Sequence, residues 1–193
     1  MDQQQLRETL AAAKAGQAEA FKALLKAYGH RLFGYFLRAT RSHHEAEDLL
    51  GELMLRLVRQ LKSYDERGRF DQWLFRIAAN MVRDRIRRIR AAPRPISITG
   101  RDEEASPLAE RLPDQGPPVE AGLLAAEAGD QLQEALNKLD DTTRQMILLR
   151  HLGQLSFKEL ADYFQCPLGT ALARVHRGMR LLREILSDKH GTE

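Results

Sequence analysis

The chain has 193 residues, 43 % hydrophobic, 30 % charged and 6 % aromatic, which excludes collagen-like, mucin-like and wholly disordered proteins and leaves room for one medium domain or two small ones. No run reaches the roughly 18 uncharged apolar residues of a membrane span, and Met1-Asp2-Gln3-Gln4-Gln5 lacks the basic and apolar segments of a secretory signal, so a cytoplasmic protein is expected. The net charge of +3 conceals a division: residues 1–92 carry 18 Lys/Arg against 11 Asp/Glu, residues 93–140 carry 4 against 10, and residues 141–193 carry 8 against 6. Basic ends flanking an acidic middle point to an anionic partner, nucleic acid first among them.

Outside one segment, apolar residues recur at three and four and almost no strand-like alternation occurs, which predicts an all-α protein. The nearest approach to low complexity is the alanine-rich stretch Ala11 to Ala20. Helices are expected near residues 18–40, 45–61 and 70–90. In the second, Ala46, Leu49, Leu50, Leu53, Leu57 and Leu61 make a stripe for the core. Its first two turns carry Glu45, Glu47, Asp48 and Glu52, where the helix dipole favours acids, and leave a negative surface patch.

Along the third helix Trp73, Arg76, Asn80, Arg83, Arg87 and Arg90 advance by three and four and so share a face, with Leu74, Ile77, Ala78 and Met81 on another. Arginines track phosphates, an aromatic ring stacks on an unstacked base and an Asn bonds a base edge, a set suited to single-stranded or melting DNA. A solvated arginine-rich face with Trp73 in the core is the alternative.

Six of the seven prolines fall between residues 93 and 118, which marks a flexible, Pro-rich, acidic linker over 93–119 between a domain at 1–92 and a second at 120–188, with a tail at 189–193. Helices are expected near 120–138, 141–152, 156–164 and 167–187. Ser156-Phe157-Lys158-Glu159 is a capping box, and Pro167 suits the first turn of a helix, so the last two helices form a helix-turn-helix in which the small Ala161 allows a close crossing. In the final helix Leu168, Leu172, Val175, Met179, Leu182 and Leu186 are the expected inward stripe. Thr170, Ala173, Arg174, Arg177 and Arg180 lie opposite as a basic face for the major groove. A helical hairpin with a basic exterior is the bland alternative.

Signs of enzymatic chemistry are few. His43 and Glu47 are an i, i+4 pair but lack a third ligand, and Cys166 has neither a partner cysteine nor a histidine placed to activate it. No glycine-rich phosphate loop or nucleophile motif is present, so no catalytic residue, metal or cofactor is assigned.

Three stretches, in order, resemble the extracytoplasmic-function (ECF) group of bacterial RNA polymerase sigma factors, in the sigma-70 family. EAEDLLGELMLRLVRQLKSYD (Glu45 to Asp65) is similar to regions 2.1–2.2, FDQWLFRIAANMVRDRIRRIR (Phe70 to Arg90) to regions 2.3–2.4, and LSFKELADYFQCPLGTALARVHRGMRLLREIL (Leu155 to Leu186) to region 4.2. The resemblance implies a region 2 bundle and a region 4 helix-turn-helix. Asp48, Leu49, Glu52 and Leu53 would bind the clamp helices of the polymerase β′ subunit. The loop Ser63 to Asp71 with Trp73, Arg76, Asn80, Arg83 and Arg87 would open and read the −10 element. Ser156, Lys158, Thr170, Arg174, Arg177 and Arg180 would read the −35 element as duplex. It also implies contact with the polymerase β flap, an anti-sigma factor, and a linker threading toward the active-site channel.

The chain departs from the family pattern in four places. Gly51 replaces a usual Gln, and Leu139-Asp140 a Leu-Pro pair. Gly169-Thr170-Ala171-Leu172-Ala173-Arg174 replaces G-T-V-x-S-R, and Met179 stands at a frequent arginine. Either the −35 target is unusual or the factor depends more on its −10 contacts and on the polymerase. A stand-alone helix-turn-helix regulator and a helical protein-interaction adaptor are the rival readings.

Overall fold

A computed structural model describes residues 1–65, 67–91 and 119–190, and all regular structure among them is helical. The chain divides into two units, Met1–Asp114 and Gln115–Glu193. The expected linker lies outside the described residues, except for Val119, which opens a helix.

The first unit contains α1 (Gln3–Lys14), α2 (Ala18–Thr40), α3 (His43–Gln60), a 3-10 turn (Leu61–Ser63) and α4 (Phe70–Ala91). Helix α1 was not expected. Asp2 caps it reciprocally with Gln5: the Gln5 N–H donates to Asp2 Oδ1 at 2.8 Å and the Asp2 N–H to Gln5 Oε1 at 3.1 Å. Its alanines have the highest helix propensity, and it buries Leu10 and Ala13. Gly16, at φ 84°, supplies the left-handed residue that turns the chain into α2.

Ser42 accepts a hydrogen bond from the Glu45 N–H at 3.3 Å, so α3 begins at His43, two residues earlier than the acidic cluster suggested. Its expected stripe, Ala46, Leu49, Leu50, Leu53, Leu57 and the following Leu61, is buried throughout. It meets Leu32, Tyr35 and Phe36 of α2 and Leu74, Phe75, Ala78 and Met81 of α4 in the core of this unit. Tyr35 packs edge-on against Phe75 with ring centroids 5.8 Å apart.

Two ion pairs fix α4 against its neighbours. Arg31 of α2 donates to Asp71 at 2.9 Å and lies 5.3 Å from the Phe75 ring centroid. Arg85 forms a two-pronged pair with Glu45 of α3, whose hydrogen bonds raise the Arg85 pKa above its ordinary value despite partial burial.

The second unit contains α5 (Val119–Asn137), α6 (Asp141–His151), α7 (Phe157–Phe164) and α8 (Leu168–His190). The final helix thus runs into residues expected as tail. Asp140 caps α6, accepting from the Thr143 N–H at 3.0 Å and the Thr143 hydroxyl at 2.6 Å. The Ser156/Glu159 capping box opens α7 as the sequence indicated. Gln165, at φ 52°, ends α7, and the Cys166 N–H donates to the Ala161 carbonyl at 3.0 Å before Pro167 leads into α8.

The inward face of α8 differs from the expected one. Ala171, Val175, Gly178 and Leu182 are buried, Leu172, Met179 and Leu186 only half-buried, and Leu168 is 49 % exposed. The physical reason is close packing: a Cβ on Gly178 would lie 2.7 Å from both Ile147 Cδ1 and Thr143 Cγ2, so the bare glycine leaves room for these α6 side chains against α8. The contact face combines the small Ala171 and Gly178 with Val175 and Leu182 of the expected stripe, while Leu168, Leu172, Met179 and Leu186 lie to its flanks.

Candidate functional site

In the first unit, the surface of α3 opposite its buried stripe has Leu55 at its centre, 63 % exposed. Asp48, Glu52 and Arg59 lie on one side and Gly51 and Val58, itself 49 % exposed, on the other. Arg56 holds Glu52 at 2.6 Å, and His44 lies 3.7 Å from Asp48. Asp48 and Glu52 are therefore on the surface, as proposed from sequence. Leu49 and Leu53, named with them, are buried in the core of this unit. The apolar part of this face comes instead from Leu55 and Val58, which the sequence reading missed because it credited the inward leucines. Their signal is two large apolar residues outside the stripe.

The α4 face starts from an aromatic cluster. The Trp73 ring lies 4.5 Å from Tyr64, tilted 37°, and 5.7 Å from Phe70, while Phe70 packs edge-on against Tyr28 at 5.3 Å. Trp73 is half-buried, with one part of the indole in this cluster and the rest on the surface. Next along the face, Arg76 is exposed and Asn80 half-buried, its Oδ1 accepting from Arg83 Nη2 at 3.1 Å. Arg83 and Arg87 are exposed, and Arg87 pairs with Asp84 at 3.0 Å. The Arg90 side chain lies outside the described atoms. One face thus combines an immobilised aromatic surface, an amide and guanidinium groups.

In the second unit, Lys158, Thr170, Arg177 and Arg180 are exposed, Arg180 lying 3.7 Å from Glu184. Ser156 is exposed but serves as the cap of α7. Arg174 is turned aside: its Nη1 donates to Asp140 Oδ1 and to Thr143 Oγ1, each at 3.2 Å. Burial pushes the Asp140 carboxyl up, but hydrogen bonds from Thr143 and the Arg174 charge outweigh it and leave its pKa below the ordinary 3.8. Arg174 therefore ties α8 to the start of α6, a role not visible from its place in the helix. A further group on the outward face is the exposed His176. Its ring lies nearly parallel to Phe157 at 6.1 Å, and the Arg150 guanidinium is 5.1 Å from the Phe157 centroid. Its place next to Arg177, one turn beyond Ala173, was the available signal.

His43 Nδ1 lies 3.7 Å from the buried Glu47, and among the described residues no group of three or more metal-ligating side chains occurs. Nor is any described helix long and apolar enough to cross a membrane.

Comparison with known proteins gives the family of the chain. Residues 24–92 match the family model Sigma-70 region 2, and residues 129–182 match Sigma-70, region 4. The chain is 28 % identical to the ECF RNA polymerase sigma factor SigW of Bacillus subtilis over 183 residues, 95 % of this chain and 97 % of that one. It is 31 % identical to the RNA polymerase sigma factor CarQ of Myxococcus xanthus over 173 residues, 90 % of this chain and 92 % of the relative. In fold it is similar to CnrH, solved in complex with the cytosolic domain of CnrY (TM-score 0.61, 22 % identity, 94 % of this chain and 97 % of that one). It is likewise similar to the sigma factor RpoE of Bartonella quintana, solved with the anti-sigma factor NepR (TM-score 0.58, 21 % identity, 88 % and 98 %). With both region models in order and 28–31 % identity over nearly the full length of such relatives, the chain belongs to the ECF group of the sigma-70 family of RNA polymerase sigma factors.

Proposed function

We propose that this chain is a non-enzymatic specificity subunit that binds core RNA polymerase in the cytoplasm and directs it to a small promoter set. Docking on the β′ clamp helices falls to the outward face of α3, where the exposed Leu55 lies between Asp48 and Glu52 on one side and Val58 on the other. The −10 element is opened and read by α4: Trp73 stacks on an unstacked base, Asn80 bonds a base edge, and Arg76, Arg83 and Arg87 follow the phosphates. The second unit engages the β flap and reads the −35 duplex through Thr170, Arg177 and Arg180, with Lys158 and Ser156 at the start of α7 near the backbone and His176 beside them. Arg174 enters this scheme as the residue that sets α8 on α6. Since the two solved relatives are bound to CnrY and to NepR, a protein partner that holds the chain inactive is part of the proposal.

The observation that carries the reading is the α4 face, where an aromatic ring fixed by Tyr64 leads into an amide and a run of arginines. A duplex-only regulator has no use for it. Asn80→Ala in holoenzyme should leave core binding unchanged and reduce permanganate reactivity of −10 thymines, with weakened discrimination among −10 variants. Unchanged opening on every −10 variant would remove the assigned role.

A further inference from the structure

Tyr64, which backs Trp73, follows the 3-10 turn and lies outside any described helix. The Tyr64 N–H closes the 3-10 turn on Leu61 at 3.1 Å, while its carbonyl oxygen accepts from outside, from Lys14 Nζ at the end of α1. The same ammonium lies 5.8 Å from the Tyr64 ring centroid, so one cation bonds the backbone and faces the ring of one residue. Lys14 stands in the last turn of α1, where the helix dipole favours a cation, and is half-buried. Before α4, Gly68 turns at φ 74°, and a Cβ there would lie 3.6 Å from Gln3 Nε2 in the first turn of α1. Helix α1 thus flanks both Tyr64 and Gly68, and its buried Leu10 and Ala13 anchor it.

We propose that α1 is a positioning element for promoter opening: Lys14 fixes Tyr64, Tyr64 fixes the plane of Trp73, and Trp73 is thereby held ready for an unstacked base of the melting strand. The inference rests on the reading of α4 as the −10 face and adds to it a residue more than fifty positions away in sequence from Trp73. A preorganised ring receives the base without first losing its own freedom, so releasing Lys14 acts on opening and base choice rather than on recruitment. The described contacts of Lys14 are with Tyr64 rather than with the exposed α3 face, so polymerase binding should be unchanged.

The test uses the full chain reconstituted with core polymerase, comparing the parent with Lys14→Met, Lys14→Arg and Trp73→Ala. Three quantities are measured: affinity for core polymerase, −10 opening by 2-aminopurine fluorescence, and discrimination among −10 base variants. Lys14→Met should lower opening about ten-fold, the weight of one hydrogen bond from a charged donor, and blunt discrimination at the base stacked on Trp73, with core affinity unchanged. Lys14→Arg, which keeps the charge and donors, should restore most of both. Parental opening and discrimination in Lys14→Met would overturn the inference, as would a loss of core binding in proportion to the loss of opening, or no recovery in Lys14→Arg. A Trp73→Ala holoenzyme that opens and discriminates like the parent would instead overturn the underlying reading of α4.

Discussion

Replacing Leu55 by alanine should weaken association with core polymerase while leaving the fold intact. The side chain is 63 % exposed in the free chain, so most of its burial is still to be gained on docking. Burying a whole leucine side chain is worth about 1.5–3 kcal/mol; about two-thirds of this gives ~1–2 kcal/mol, a roughly 5- to 30-fold increase in Kd. Leu53, two residues away and fully buried, is the internal control: Leu53→Ala removes a core side chain and should cost about 2–5 kcal/mol of stability. Competition of each variant against labelled parent for core polymerase, with thermal melts followed by circular dichroism, separates the two effects. Leu55→Ala should lose affinity and keep its melting temperature, whereas Leu53→Ala should melt early. Parental affinity in Leu55→Ala, or a fall in its melting temperature as large as that of Leu53→Ala, would refute the assignment of this face.

Gly178→Ala gains about 1 kcal/mol of helix propensity but drives a methyl to 2.7 Å from Ile147 and Thr143, an overpacking of about 1–3 kcal/mol, so denaturation of the second unit should show a net loss. Unchanged stability would mean that the α6–α8 crossing is looser than described. The depressed Asp140 pKa means that its stabilisation is complete above the unfolded value near 3.8 and is lost as pH falls through the lower folded value. Asp140→Asn should therefore flatten the acid limb of the stability profile below about pH 4, and an unaltered limb would contradict the network with Thr143 and Arg174. Arg177→Ala should reduce initiation on promoters that carry a −35 element more than on those that lack it, and equal effects on both would remove its role in reading that element.

Much of the fold was legible because the sequence marks it twice, by periodicity and by caps. The α3 stripe from Ala46 to Leu61 and the Ser156/Glu159 box needed no tertiary information. Helix α1 escaped because it buries little beyond Leu10 and Ala13 and so has no stripe, although its Asp2–Gln5 cap was present in the sequence. The register of α8 misled for the opposite reason: its face includes the fully buried Ala171 and the closely packed Gly178, which carry almost no hydrophobic signal, while the larger Leu168 and Leu172 sit on its flank. Site residues divided along the same line. The shared face of Trp73, Asn80 and Arg83 and the exposure of Arg177 follow from helical spacing alone. The stripe already places Leu49 and Leu53 in the core, whereas the family resemblance places them at the polymerase face. The pairing of Arg174 with Asp140, and of Lys14 with Tyr64, spans 34 and 50 residues and depends on how helices pack, which no local pattern encodes.

The most direct test of sigma activity is in vitro transcription by core polymerase, with and without this chain, on a library of random promoter fragments, with transcript starts sequenced. Chain-dependent starts downstream of one shared two-part motif, at −10 and −35 spacing, are the predicted result. No specific initiation, with the same polymerase shown competent by another sigma factor, would contradict the account.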